Sequence, residues 1–179
     1  VKKKGLSDIH KAYAKKRSGN EATKRWRLYL SASIANAPLN KKLRQHLPPG
    51  RFELILPQDF APRDVDHPSY PRAIYERCIE EMERCDAGII LLDAFGVDSA
   101  SEAGWFAAKK KPLIGIAVAN CRFLRHWMVK GNLTSVICMD EVLFKVVKKD
   151  PVLRHASSLL CNSWEGLAES ISFLLTSSM

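Results

Sequence analysis

Two carboxylates four residues apart, Asp98 and Glu102, open a helical pattern behind the unbroken apolar run at residues 87–92, AGIILL, and the aspartate that follows it, Asp93. A carboxylate at Glu102 has two uses. Ser99 and Glu102 have the Ser-x-x-Glu spacing of a capping box, in which the serine hydroxyl bonds the third helical amide and the glutamate reaches back to the cap amide. Taken by itself the spacing favours that cap, because it opens many ordinary helices. The other use is chemical. A carboxylate fixed at the end of a buried strand can attack an electrophilic carbon, and a second one nearby can move a proton. Asp93 and Asp98 also read as turn formers at a strand end.

The elements that would position these residues follow from periodicity. Strands are expected at residues 26–31 (WRLYLS), 52–57 (FELILP), 87–92, 112–118 (PLIGIAV) and 134–139 (TSVICM). The third and fourth are almost continuously apolar, as parallel strands covered on both faces are. Helices are expected at residues 38–47, with Leu39, Leu43 and Leu47 in one row, and across residues 71–86. In the latter, Ile74, Cys78, Ile79, Met82 and Cys85 form one stripe, and Cys78 reads as one more buried apolar residue. A short third helix at residues 101–111 ends in lysines, favourable at the negative pole of its dipole. A last amphipathic run, residues 164–175, is expected to pack back on the domain or on a partner subunit.

Strand and helix alternate. The pattern predicts an α/β fold with a five-stranded parallel, doubly wound sheet flanked by helices, of the flavodoxin-like or Rossmann-like kind. In such sheets ligands sit beyond the carboxyl ends of the strands. Ser31, Ser33, Asp59, Asp93, Asp98 and Glu102 would then share one rim.

The charge is unevenly distributed. Of the net +9 of the 179 residues, +8 lies in residues 1–27, with ten Lys/Arg against two Asp/Glu. The chain divides into a basic leader, residues 1–25, and one nearly neutral domain, residues 26–179. Nucleic-acid contact is therefore assigned only to the leader, and a solvated leader is the simpler reading. Five scattered cysteines without a CxxC pair indicate free thiols in a reducing compartment, and neither a disulfide frame nor a zinc site. No apolar stretch approaches the roughly 18–20 residues needed to span a bilayer, and the N-terminal residues lack the apolar core of a signal peptide. A cytoplasmic protein without membrane contact is expected.

The order of features from Tyr29 to Met139 resembles the nucleoside 2-deoxyribosyltransferase family and the related nucleoside 5′-monophosphate N-glycosidases. The resemblance rests on Tyr29-Leu30 in the first strand with a small-residue loop after it, and on Pro57-Gln58-Asp59-Phe60 after the second strand. It continues with Ile74-Tyr75 at the head of a helix that ends in Cys85-Asp86-Ala87. The apolar strand, Asp93, Asp98, Glu102-Ala103-Gly104, a short Ala-rich helix and Lys111-Pro112 before the next strand complete it, with residues 127–132 preceding a last strand.

That resemblance implies a nucleoside or nucleotide substrate, no metal, no cofactor, and a homo-oligomer. It makes Glu102 the nucleophile that forms a glycosyl ester, Tyr29 the group that holds it, and Asp98 the acid that helps the base depart. Asn132, from the same or a neighbouring subunit, would contact sugar hydroxyls, while Asp59, Phe60 and Asp93 line the substrate. Ser31 and Ser33 would bind a 5′-phosphate if the substrate carries one. Transfer to a second base is the leading expectation, hydrolysis of a 5′-monophosphate the alternative, and a non-catalytic nucleotide-binding module the second alternative.

Overall fold

A computed structural model describes residues 24–33, 37–60, 70–93 and 95–177. Most of the basic leader, and the nucleic-acid contact assigned to it, lie outside the described residues. So does the middle of the loop after the first strand.

The described chain runs β1 (Trp26–Ser31), α1 (Ala37–His46), β2 (Phe52–Ile55), a 3-10 turn (Pro57–Phe60), α2 (Tyr70–Arg84), β3 (Ala87–Leu91), α3 (Val97–Ala108) and β4 (Leu113–Ala117). It continues through a second 3-10 turn (Arg122–Arg125), α4 (Trp127–Gly131), β5 (Ser135–Cys138), α5 (Glu141–Lys149), a third 3-10 turn (Val152–His155), β6 (Ser157–Leu160) and α6 (Leu167–Ser177). All pairings are parallel and the order is β2-β1-β3-β4-β5-β6.

The five expected strands are present and a sixth is added. β6 begins with two serines and lies at the sheet edge, where one flank is unpaired and little apolar pattern is required. Two helices were also not read from the pattern. One is the five-residue α4, and the other is α5, whose N-cap Asp140 accepts from the Leu143 amide at 2.8 Å.

Alternation along the strands sorts side chains onto two covered faces. On one face Leu28, Leu30, Ile89, Leu91, Ile114 and Ile116 meet Leu43 of α1 and Leu167, Ile171, Leu174 and Leu175 of α6, so the final helix packs on its own domain. On the other, Tyr29, Ile90 and Val136 meet Met82 of α2, Ala103 and Phe106 of α3, and Leu143 and Val147 of α5. That second face carries the rim residues of β1.

Gly88 pairs in register with Tyr29, and a Cβ there would stand 2.8 Å from both Leu113 Cδ1 and Phe106 Cε2. The missing side chain lets Phe106 approach Tyr29, ring centroids 6.1 Å apart and the planes tilted by 48°. α2 is fixed over β1 by Glu81, 2% exposed, which accepts from Arg27 Nη2 at 2.6 Å and pairs with Arg77 Nε at 3.0 Å.

α3 ends in a Schellman turn. Lys111 N–H reaches Phe106 C=O at 3.0 Å and Lys110 N–H reaches Ala107 C=O at 3.0 Å. Lys110 holds φ 54, the left-handed position where glycine is usual. Lys110→Gly is therefore expected to stabilise the fold by about 0.5–1 kcal/mol, the relief of Cβ strain less the extra freedom of the unfolded chain. A rise in the urea midpoint with an unchanged slope checks it.

Candidate active site

The strand order reverses between β1 and β3, and this is the place where a doubly wound parallel sheet opens a crevice at its carboxyl edge. Tyr29 and Ser31, two residues apart on β1, point to the same face there. α3 lies over β1, β3 and β4 and supplies the third group.

α3 starts at Val97, one turn before the expected position. Its N-cap is Gly96, which offers no side-chain bond, so Asp98 sits in the first turn and Ser99 is already inside the helix. The capping box is therefore not formed. Ser99, Ala103 and Phe106 are the buried stripe of α3, and Glu102 lies beside it facing β1. Both carboxylate oxygens are held. Tyr29 Oη donates to Glu102 Oε1 at 2.6 Å, and Ser31 Oγ donates to Glu102 Oε2 at 2.5 Å. The Ser31 hydroxyl has a second acceptor, the Ser99 carbonyl, at 3.5 Å.

Burial pushes the Glu102 carboxyl above the usual carboxylate range; the hydrogen bonds from Ser31 and Tyr29 oppose this, and the negative charge of Asp98 adds to it. Tyr29 is fully buried, and burial foremost, then the charge of Glu102, raises its hydroxyl far above the usual value. It stays a neutral donor at every ordinary pH. Cys78 of α2, partly buried, lies close enough to Tyr29 for the two side chains to act on each other electrostatically. Burial raises its thiol, Tyr29 lowers it, and Glu102 and Asp98 raise it again, so it remains a thiol rather than a thiolate. Cys78 thus borders the site instead of serving as an ordinary apolar contact. No local pattern places it there; the packing of α2 on β1 does.

The remaining expected residues are placed as follows. Asp98 is exposed, and its charge acts on Glu102 and Cys78. The Asp93 carboxylate accepts the backbone N–H groups of Val118, Ala119 and Asn120, the last at 2.9 Å, while Asn120 Nδ2 returns to Asp93 C=O at 2.9 Å. Asp93 therefore ties the loop after β4 to the end of β3, and its acceptor capacity faces protein. Asp59 pairs with Arg44 on the surface. Phe60 lies under the Arg77 guanidinium, 5.3 Å from its ring centre.

The Ser33 carbonyl accepts Asn40 Nδ2 at 3.3 Å. Asn132 Nδ2 is 3.9 Å from where a Cβ on Gly104 would stand, on the side of α3 turned away from Glu102. In one chain the structure therefore brings Tyr29, Ser31, Asp98 and Glu102 together with Cys78; among the described residues no hydrogen bond joins Asp59, Phe60, Asp93 or Asn132 to that cluster. Ser31 was expected to face a phosphate, but its hydroxyl is directed at Glu102. Among the described residues no three His, Cys, Asp or Glu side chains converge as metal ligands would.

A partly buried carboxylate held on both oxygens, near a second carboxylate at a sheet's switch point, has the arrangement that covalent nucleophilic catalysis uses. The family model for nucleoside 2-deoxyribosyltransferases matches residues 28–139, which contain Tyr29, Ser31, Cys78, Asp98 and Glu102. A search of curated protein sequences returned no significant match. Among solved structures, a conserved protein from Enterococcus faecalis V583 shares the fold with a TM-score of 0.51 at 19% identity, over 84% of this chain and 99% of that one. A 2-deoxyribosyltransferase from the psychrotolerant bacterium Bacillus psychrosaccharolyticus gives 0.48 at 14% identity, over 62% and 84% of the two chains. A CMP N-glycosidase of Clostridium botulinum gives 0.46 at 12%, over 82% and 98%. With a family match over more than half of its length, the chain belongs to the nucleoside 2-deoxyribosyltransferase family.

Proposed function

We propose that the protein cleaves the N-glycosidic bond of 2′-deoxynucleosides through a glycosyl ester on Glu102 and passes the sugar to a second base. The observation that supports this is the carboxylate of Glu102, partly buried at the switch point and held on both oxygens by Tyr29 and Ser31. Burial keeps the carboxylate poorly solvated and therefore reactive, while the two hydroxyls fix its orientation. Asp98, at the crevice edge, brings the proton that the departing base takes up.

The committed Ser31 hydroxyl favours the nucleoside over its 5′-monophosphate. A phosphate needs several N–H or O–H donors, and this one already serves Glu102. Asn132 is assigned to a neighbouring subunit's sugar in a homo-oligomer. The exposed Trp127 and Met128 close to it, 74% and 80% accessible, support an apolar contact there. Five free cysteines support a reducing, cytoplasmic setting.

The test is a panel of 2′-deoxynucleosides and their 5′-monophosphates, with and without a free acceptor base, resolved by chromatography. Exchanged nucleosides are expected. Free base with deoxyribose 5-phosphate would instead establish the 5′-monophosphate hydrolase. Tight nucleotide binding with no cleavage would leave only a binding module.

A further inference from the structure

Glu102 has two oxygens, and the bonds that hold them are not equivalent. The Tyr29 hydroxyl that holds Oε1 is fully buried, and its other polar neighbour is the Cys78 thiol, a weak acceptor. The Ser31 hydroxyl that holds Oε2 has a stronger alternative, because the Ser99 carbonyl stands within reach at 3.5 Å. A hydroxyl hydrogen rotates about the C–O bond, so Ser31 can turn from one acceptor to the other without moving its backbone. An oxygen that forms a covalent bond gives up most of its negative charge. The donor bound to it then needs another acceptor, or it is left buried and unpaired at a cost.

From this asymmetry we infer that Oε2 is the attacking oxygen and that Ser31 is a switching positioning residue, which turns to the Ser99 carbonyl as the ester forms and returns as it breaks. The inference rests on the proposed nucleophile role of Glu102. In the first step the Glu102 Oε2–C1′ bond forms and the C1′–N bond breaks. Its electron pair leaves with the base, which takes a proton from solvent by way of Asp98. Tyr29 stays on Oε1, now the ester carbonyl oxygen. In the second step the acceptor nitrogen attacks C1′ and gives up its proton to solvent by way of Asp98, and the C1′–Oε2 pair returns to the carboxylate. The returning Ser31 hydroxyl stabilises the charge that reappears on Oε2.

Ser31 thus favours the free carboxylate over the ester. Ser31→Ala removes only a hydroxyl at a packed position, so the fold should persist. Its expected signature is a shift of the equilibrium towards the ester by about 10-fold or more, the size of a hydrogen bond to a charged group. With 2′-deoxyadenosine and 2′-deoxycytidine as probes, rapid-quench measurement should show a larger burst of free base than the wild type, followed by slower exchange. The acid limb of kcat/KM should move to higher pH, because a bond that lowers the Glu102 carboxyl is gone. Ser31→Cys, a weaker donor of similar size, should fall between.

A Ser31→Ala variant that slows both steps alike without a burst, or a Tyr29→Phe variant that produces the burst instead, would overturn the assignment. A carbon-13 carboxyl titration of Glu102 in the two proteins needs no turnover, and an unmoved titration in Ser31→Ala overturns the inference by itself. Wild-type protein that turns over neither probe while this titration does move refutes the functional reading, and with it the switching step, leaving only the resting contact.

Discussion

Glu102→Gln is expected to lose turnover by at least about a thousandfold, because an amide oxygen is a poor nucleophile and the covalent route has no substitute. The fold should survive. The glutamine amide keeps the shape of the carboxylate and can still accept from Tyr29 or Ser31, and the change removes a partly desolvated charge. The sign of the pH effect follows from the direction of the shift. The Glu102 carboxyl is raised in the folded protein, so the folded state takes up a proton more readily than the unfolded one. The stability of the wild type contributed by this group is full below the unfolded value and declines as pH rises through the folded one. Melting curves should therefore place Glu102→Gln level with the wild type in acid, and equal or more stable near neutrality. A variant that melts far lower at every pH would give Glu102 a structural role; one that retains turnover would remove it from the chemistry.

The second large effect is expected away from the chemistry. Lys130 of α4 is 3% exposed, and its ammonium is balanced by Asp150 Oδ2 at 2.6 Å. Asp150 Oδ1 also accepts the amides of Val152 and Leu153, at 2.9 and 3.2 Å. Asp150→Ala leaves the ammonium buried without its partner, and the expected loss of stability is about 3–5 kcal/mol. Burial would raise the Asp150 carboxyl, but the Lys130 hydrogen bond, the two amides and the Lys130 charge together hold it below the usual range.

A depressed carboxyl contributes stability above its unfolded value, near pH 4, and loses it as pH falls through the folded one. Denaturant titrations should therefore show a wide gap between wild type and Asp150→Ala at neutral pH that narrows in acid. A gap independent of pH would assign the loss to packing instead. The pair also anchors the helix that leads to Asn132, so a weakened α4 should impair any assembly that uses Trp127 and Met128.

What could be read from the sequence, and what could not, follows from the range of the interactions. β1, β3 and β4 were legible because their burial is written in the strand itself: AGIIL is apolar at every position, as a parallel strand under two helical layers must be. β6 was not, since an edge strand that begins with two serines needs little apolar pattern of its own. The start of α3 was misplaced for a local reason. Gly96 caps without a side chain and Val97 is a modest helix former, so the strongest local cap signal is Ser99 with its spacing to Glu102.

The site was legible in part. Tyr29-x-Ser31 on a strand puts two hydroxyls on one face, and that much is in the sequence. That both meet one carboxylate about seventy positions away depends on the pairing of β1 with β3 and the packing of α3 across them. Asp93 is engaged in a way that the sequence does not announce. Its position on the rim suggested substrate, but three backbone amides from the loop after β4 converge on it, a contact that no local pattern announces. Cys78 was read as apolar because its stripe is apolar, and only the approach of α2 to Tyr29 gives its thiol a polar neighbour.

The covalent step is tested most directly by trapping it. A 2′-fluorinated nucleoside analogue slows both oxocarbenium-like steps and prolongs the life of any ester. Brief incubation, acid quench, trypsin digestion and fragment mass spectrometry would then be read on the peptide spanning residues 85–109, which holds Asp86, Asp93, Asp98 and Glu102. The expected result is one fluorinated sugar per chain, located on Glu102 and absent from Glu102→Gln. A sugar located on Asp98, Asp93 or a cysteine, or base release from the analogue with no adduct under conditions where the intermediate should persist, would contradict the assignment of Glu102 as the nucleophile.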